Sequence, residues 1–279
     1  MFKALDDTPE NGSEQSAADR VRPRDRIETG PRFQESDAVR LNRLFRGTET
    51  VEMLETLLKE RMAGEVAIVS SFGAESAVLL HLVSRIDPNI PVLFLDTGKH
   101  FPETLAYRDE LVALLGLTNL RILTPDAEEL AKRDESGLRW SYDPDGCCEI
   151  RKVKPLAKAL EGYDASITGR KAFQAATRSS LPRFEIDTTD AQGRLKINPL
   201  IDWAPEDIAA YMAEHDLPAH PLVAKGYPSI GCSPCTSKVA PGEDPRSGRW
   251  KGWDKTECGI HVAGPHDEGE LPPGFDPVF

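Results

Sequence analysis

Five cysteines hold most of the reactive chemistry available to this 279-residue chain. Two are adjacent, in Asp145-Gly146-Cys147-Cys148-Glu149-Ile150-Arg151-Lys152. Two form Cys232-Ser233-Pro234-Cys235, and the last stands alone in Glu257-Cys258-Gly259-Ile260-His261. Four thiolates in two pairs suit one metal centre, and a fifth in a different context suits a nucleophile. C-x-x-C spacing by itself serves metal binding and catalytic disulfides equally. The adjacent pair favours a larger group, because neighbouring side chains must splay to reach one ion at about 2.3 Å, whereas a 4Fe-4S cube offers each its own iron. Zinc, a disulfide and buried free thiols are the alternatives, and the polar neighbours Asp145, Glu149 and Arg151 oppose an inert core. Cys148 is expected to open a helix whose N–H groups offset a thiolate cluster, with Lys152 four residues on along the same face.

The elements that must position these residues alternate. Val66 to Ser70, Pro91 to Leu95, Leu120 to Leu123 and Ala165 to Thr168 read as short buried strands, separated by helical patterns from Ala77 to Ser84, Phe101 to Leu115 and Asp126 to Arg133. Such alternation implies an α/β fold with a parallel sheet covered by helices on both faces. Ligands in such sheets lie beyond the carboxyl ends of the strands, where Ser71, Asp96, Thr124 and Gly169 fall. Ser70 to Ser76, with Ser71, Phe72 and Gly73, is a small-residue loop entering a helix. Backbone N–H groups there suit a phosphate, although capping and tight turning explain the same residues. Phe184 to Asp187 and Leu195 to Asn198 add two short strands, and Pro205 to Glu214 another helix. Asp37 to Phe45 and Thr50 to Met62 read as amphipathic structural helices.

Composition sets outer limits. A net charge of −12 argues against a nucleic-acid or anionic-membrane surface, so an anionic ligand must be met by locally gathered cations. No apolar run approaches the roughly 20 residues of a membrane helix and no signal-peptide pattern opens the chain. A cytoplasmic protein is expected, in which an odd cysteine count favours metal or thiol chemistry over structural disulfides. Residues 1–35 and 264–279 are polar, Pro- and Gly-rich and aperiodic, and are expected to be disordered tails. Residues 36–240 form the main domain. Residues 241–263 form a mobile segment carrying Cys258, with Gly242, Gly248, Gly252 and Gly259 as hinges and Trp250 and Trp253 as anchors of a closed form.

The Ser70 to Ser76 loop, Leu95-Asp96-Thr97-Gly98, Gly146-Cys147-Cys148, Cys232-Ser233-Pro234-Cys235-Thr236 and Glu257-Cys258-Gly259-Ile260-His261, in that order, resemble the assimilatory sulfonucleotide reductases over roughly residues 40 to 262. The resemblance implies an adenine-nucleotide α-hydrolase-like (PP-loop) fold. It also implies reduction of adenylyl sulfate, or of its 3′-phosphorylated form, to sulfite and a nucleotide. Members with both cysteine pairs resemble the cluster-bearing adenylyl-sulfate reductases. Carried over by residue, it makes Cys258 the nucleophile and Cys147, Cys148, Cys232 and Cys235 the ligands of one 4Fe-4S cluster. Thioredoxin or glutaredoxin would supply the second thiol. Cations for the leaving phosphate and sulfonyl oxygens would come from Lys152, Arg246, Arg249 and His261, with Arg170 and Arg178 behind them. The related enzymes often read Ser-Gly-Ala-Glu-Asp in the loop, which here is Ser71-Phe72-Gly73-Ala74-Glu75-Ser76. An inward Glu75 would repel an added 3′-phosphate. An ATP-using PP-loop enzyme would show Ser-Gly-Gly-x-Asp-Ser, which is absent, and a zinc-stabilised binding module would leave Cys258 to His261 without a role.

Overall fold

The computed structural model describes residues 32–190 and 193–261, His261 by its backbone alone. Four-residue strands make the centre of the fold: β1 (Val66–Val69), β2 (Val92–Leu95), β3 (Leu120–Leu123) and β4 (Ala165–Thr168). Two three-residue strands, β5 (Phe184–Ile186) and β6 (Leu195–Ile197), complete a sheet of order β3-β2-β1-β4-β6-β5. Every neighbour pair is parallel except β5 with β6. The order reverses between β1 and β4, so the crevice of this doubly wound sheet opens where the loops after those two strands diverge.

Side chains alternate across the strands, as the two-residue period of a strand requires. Ile68, Val92, Phe94 and Ile167 face a large core shared with α1 (Glu35–Leu44), α2 (Thr50–Lys59), α3 (Ser76–Ser84), α4 (Pro102–Leu114) and α8 (Pro205–Glu214). Ala67, Leu93 and Leu95 face a smaller core built with Leu156 and Leu160 of α7 (Lys154–Leu160). Local signals start the helices: Pro102 and Pro205 occupy the first turn, where a missing N–H costs nothing. Asp126 accepts from the Glu129 N–H at 2.9 Å to cap α5 (Ala127–Arg133).

The helix around the adjacent cysteines differs from expectation. α6 (Pro144–Cys148) starts at Pro144, its N-terminus occupied by Asp143, which accepts from the Gly146 N–H at 2.8 Å. Cys148 therefore closes α6 instead of opening a helix. The favourable field of an N-terminus fades within its first turn, so the charge compensation expected from helix N–H groups does not apply. A π-turn, Glu149–Val153, then joins α6 to α7, with the Lys154 N–H reaching the Glu149 carbonyl. Pro155 has no N–H to return to the Arg151 carbonyl, which favours this wider turn. Gly146 permits the close packing: a Cβ there would collide with Asp143 and Arg139.

The described chain starts before the expected boundary of the N-terminal tail, since Phe33 is buried in the large core and Glu35 opens α1. The rest of that tail, residues 1–31, and all of 264–279 lie outside the described residues. No described helix is long and apolar enough to cross a membrane.

Candidate active site

A cleft of about 430 Å³ lies at the β1/β4 reversal, reached by the loops after both strands, the π-turn and the segment from Pro228 to Ile260. Ser70, Ser71 and Gly73 line it from the loop after β1. α3 follows that loop with Glu75 at its N-cap making no side-chain cap; the Ser76 N–H donates to the Gly73 carbonyl at 3.1 Å, and the rest of the first turn has no side-chain oxygen over it, as suits an anion site. Phe72 corrects the sequence reading. Its φ of +47° turns the side chain into the core, where it is fully buried and meets Phe94 edge-on at 5.5 Å. It is not a cleft residue; its N–H donates to Ser70 Oγ at 3.2 Å and shapes the loop.

Six cations line the cleft: Lys152, Arg170, Lys171, Arg178, Arg246 and Arg249. They supply the local positive charge that an acidic chain needs for an anionic ligand. Their engagements differ. Arg170 donates to Asn198 Oδ1 at 3.1 Å and pairs with Glu185, so much of its fork is spent on the scaffold. Arg178 grips Glu257, Nε to Oε1 and Nη2 to Oε2, both at 2.7 Å. Arg246 donates to the Thr256 carbonyl at 2.7 Å. Arg249 lies 4.4 Å over the Trp250 ring with its Nε buried and unpartnered among the described residues. Glu75 faces the cleft but is not a bare charge, being paired with Lys171 at 2.9 Å. The repulsion expected of it toward a 3′-phosphate is thereby reduced.

The five cysteines, spread over 112 positions of sequence, converge around Lys152. Cys147, Cys148 and Cys232 are buried, Cys235 and Cys258 are partly so, and all are free thiols. The strand-like pairing of His100 with Cys232 and the bond from the Ser233 N–H to the Lys99 carbonyl, 2.7 Å, dock the second cysteine loop on the loop after β2. Thr97 Oγ1 lies 3.3 Å from the Cys232 sulfur. Arg151 holds the π-turn against the same loop, donating to Asp134 at 3.0 and 2.5 Å and to the Thr97 carbonyl at 2.7 Å.

Electrostatics separate the thiols. Burial pushes Cys147 up to about 12, partly offset by Arg151, and burial raises Cys235 as well. Cys148 is in hydrogen-bonding contact with Cys258, which raises Cys148 and holds Cys258 well below the usual thiol range. Burial opposes the Cys258 charge, whereas Lys152, the Ile260 N–H and Lys255 favour it. Burial works against the charge of Lys152, yet the sulfurs of Cys232, Cys258 and Cys148 keep its ammonium above the ordinary lysine range. Cys258 is thus not set apart in space: it lies beside the pairs, distinguished by its electrostatics.

Among the described residues, no group of three or more His, Cys, Asp or Glu side chains is arranged to hold a single metal ion. Three of the four paired cysteines, Cys147, Cys232 and Cys235, lie within electrostatic reach of one another, while Cys148 is engaged with Cys258. Arg151, Lys152, Arg249 and Lys255 stand among them to balance thiolate charge.

Sequence reasoning missed several contributors. Glu257, Lys255 and Ile260 hold Cys258 in the cleft: Glu257 through Arg178, Lys255 through its ion pair with Asp145, and Ile260 by packing on the smaller core. Trp250 is buried beneath Arg249 and Lys255, whereas Trp253 is 43% exposed and does not anchor the segment through burial. Gly242 and Gly252 make turns at φ of +88° and +91°, and Gly248 meets the Ser237 carbonyl. The side chain of His261 lies outside the described residues.

The family profile described as the phosphoadenosine phosphosulfate reductase domain matches residues 65–238. The chain belongs to this sulfonucleotide reductase family. A protein of Mesorhizobium japonicum called adenosine 5′-phosphosulfate reductase is 50% identical over 243 residues, 87% of this chain and 94% of its own. One of Chelativorans sp. with the same name is 56% identical over 205 residues, 73% and 82% of the two chains. Among solved structures, the phosphoadenylyl-sulfate reductase of Candida auris, determined as a phosphate complex, superposes with a TM-score of 0.62 at 27% identity. It covers 75% of this chain and 100% of that one. The PP-loop expectation for the fold holds.

Proposed function

We propose that this protein reduces adenylyl sulfate (adenosine 5′-phosphosulfate) to sulfite and AMP through a covalent intermediate on Cys258, as a step of sulfate assimilation. The observation that carries the reading is the placement of Cys258 in one cleft with Lys152, Arg246 and Arg249, beside the loop after β1. The names of the relatives point the same way.

In the first step the Cys258 thiolate attacks the sulfate sulfur, the bond from that sulfur to the bridging phosphate oxygen breaks, and AMP leaves with the electron pair. Lys152, Arg246 and Arg249 face the charge that develops on the sulfonyl and phosphate oxygens, without reorganising at the moment of transfer. The product on the protein is S-sulfocysteine. A thiolate of a thioredoxin- or glutaredoxin-type donor then attacks the Cys258 sulfur, sulfite departs, and a mixed disulfide forms. A second thiol of the same donor resolves it. Two electrons pass from the dithiol to sulfur, so the chain needs no nicotinamide or flavin.

Cys147, Cys148, Cys232 and Cys235 would hold a 4Fe-4S cluster, which would supply a compact, redox-capable group. The chain's own part is to neutralise thiolate charge with Arg151, Lys152, Arg249 and Lys255. Lys152, Lys255 and the Ile260 N–H favour the charged form of Cys258 independently of Cys148, against the opposing effect of burial.

Cys258 must face the nucleotide during attack and a protein thiol afterwards, so its segment opens between the two steps. Anaerobic kinetics with adenylyl sulfate and its 3′-phosphorylated form test the substrate assignment. A higher kcat/KM for adenylyl sulfate is expected, and an equal or higher value for the phosphorylated form overturns it.

A further inference from the structure

Gln174 closes the short turn Ala172–Gln174 in the loop after β4 and faces the cleft. Both ends of its amide are engaged. Nε2 donates to Glu75 Oε2 at 2.8 Å, and Oε1 accepts from Arg178 Nη1 at 2.7 Å and from the Lys171 N–H at 3.3 Å. A carboxylate on one side and two donors on the other leave only one orientation for the amide. Glu75 belongs to the loop after β1 and is also paired with the 2%-exposed Lys171. Arg178 spends its remaining directed donors, Nε and Nη2, on Glu257, the residue before Cys258.

The result is one unbroken line of polar contacts, Glu75 to Gln174 to Arg178 to Glu257, from the loop after β1 to the neighbour of the nucleophile. Arg178 has three of its nitrogens committed within this line, so its fork is oriented by protein groups on two sides. We propose that Gln174 is a positioning residue for sulfonyl transfer: it fixes the Arg178 fork so that Glu257 is held and Cys258 is presented to the cleft, and it ties that placement to Glu75. Arg178 then serves chiefly to seat the nucleophile's segment and only secondarily to meet substrate oxygens. Glu75 acts as the anchor of the line and is not a repelling charge. The inference rests on reading the cleft as the sulfonucleotide site, but the seating of Cys258 can be followed without substrate.

The test uses the cluster-loaded full chain and three variants: Gln174→Met, Gln174→Glu, and the exchange Glu75→Gln/Gln174→Glu. Gln174→Glu sets two carboxylates against each other, whereas the exchange restores one donor and one acceptor while leaving net charge unchanged. Two readouts on nucleotide-free protein, amide exchange across Glu257 to Ile260 and alkylation of Cys258 located by mass spectrometry, report seating directly. Each single variant should speed both by about tenfold, the scale of a lost hydrogen bond to a charged group. The exchange should return them to within about twofold of the parent. In turnover, the singles should lose about tenfold in kcat while AMP affinity stays within about twofold. Unchanged exchange and alkylation in Gln174→Met would overturn the proposal. So would single variants that lose seating which the exchange fails to restore, or a tenfold loss of AMP affinity with seating intact, which would make Gln174 a nucleotide contact. If the parent chain seats Cys258 but turns over no adenylyl sulfate, the functional reading fails and the positioning one stands.

Discussion

Arg178 meets Glu257 through two parallel bonds, each 2.7 Å long, one residue before Cys258 and across 79 positions of sequence. Both side chains are nearly buried, at 10% and 9% exposure, and the guanidinium keeps the Glu257 carboxyl below the usual range although burial acts to raise it. Breaking such a pair from one side costs about 3–5 kcal/mol when the partner stays buried. Here the segment can leave and let both groups hydrate, so the cost should appear as undocking instead of global unfolding. Glu257→Gln should lower kcat by roughly 10- to 100-fold with the thermal midpoint little changed. Steady-state kinetics and calorimetry on one preparation check both parts.

The cysteine pairs carry a second expectation. Changing Cys147, Cys148, Cys232 or Cys235 singly to Ser should remove most bound iron and lower stability, because the four would tie α6 to the distant loop carrying Cys232 and Cys235. Cys258→Ser should keep iron and AMP binding. Iron analysis beside calorimetric AMP binding decides it, and full iron in any of the first four variants removes that residue from the ligand set.

Much of this site was legible in the sequence, because short apolar runs ending in polar small residues mark strands whose carboxyl ends build a crevice. The six strands match the sequence reading, and Ser70, Ser71, Gly73, Lys152, Arg246 and Arg249, which the sequence singles out, converge on the cleft. Phe72 was misread because a small-residue loop suggests an outward backbone, whereas one positive φ sends an aromatic ring into the core. Asp143-Pro144 is a cap followed by a first-turn proline, and it held the true start of the cysteine helix. Gln174 and Lys255 carry no local signal, and Glu257, although part of the Cys258 motif, gives no sign of its Arg178 partner 79 positions away.

Phe72 gives a prediction of its own. A fully buried ring stacked edge-on with Phe94 should cost about 3–5 kcal/mol when cut to Ala. Denaturant unfolding measures it, and a loss well under 1 kcal/mol would mean that the ring does not pack as described.

His220 should make the fold acid-sensitive. It is buried against Tyr107, accepts from the Leu222 N–H at 3.1 Å, and burial lowers its pKa to about 4. Above the unfolded value near 6.5 it is neutral in both states and indifferent to pH. Between that value and about 4 the unfolded chain takes up a proton that the fold refuses, so stability falls as pH falls. The contribution is roughly 3 kcal/mol across the window. His220→Gln should flatten the slope of stability against pH between 7 and 4 relative to the parent, whatever the absolute stability of the variant. An unchanged slope would contradict the assignment.

The central claim is the covalent role of Cys258, and one measurement meets it directly. The reduced protein is freed of small thiols, given adenylyl sulfate without a protein donor, digested, and read by mass spectrometry while released AMP is counted. The account predicts a single added SO3 group on the peptide containing Cys258, one AMP per labelled chain, and loss of the label with sulfite release when thioredoxin is added. Labelling at another cysteine, or sulfite produced by Cys258→Ser, would contradict it.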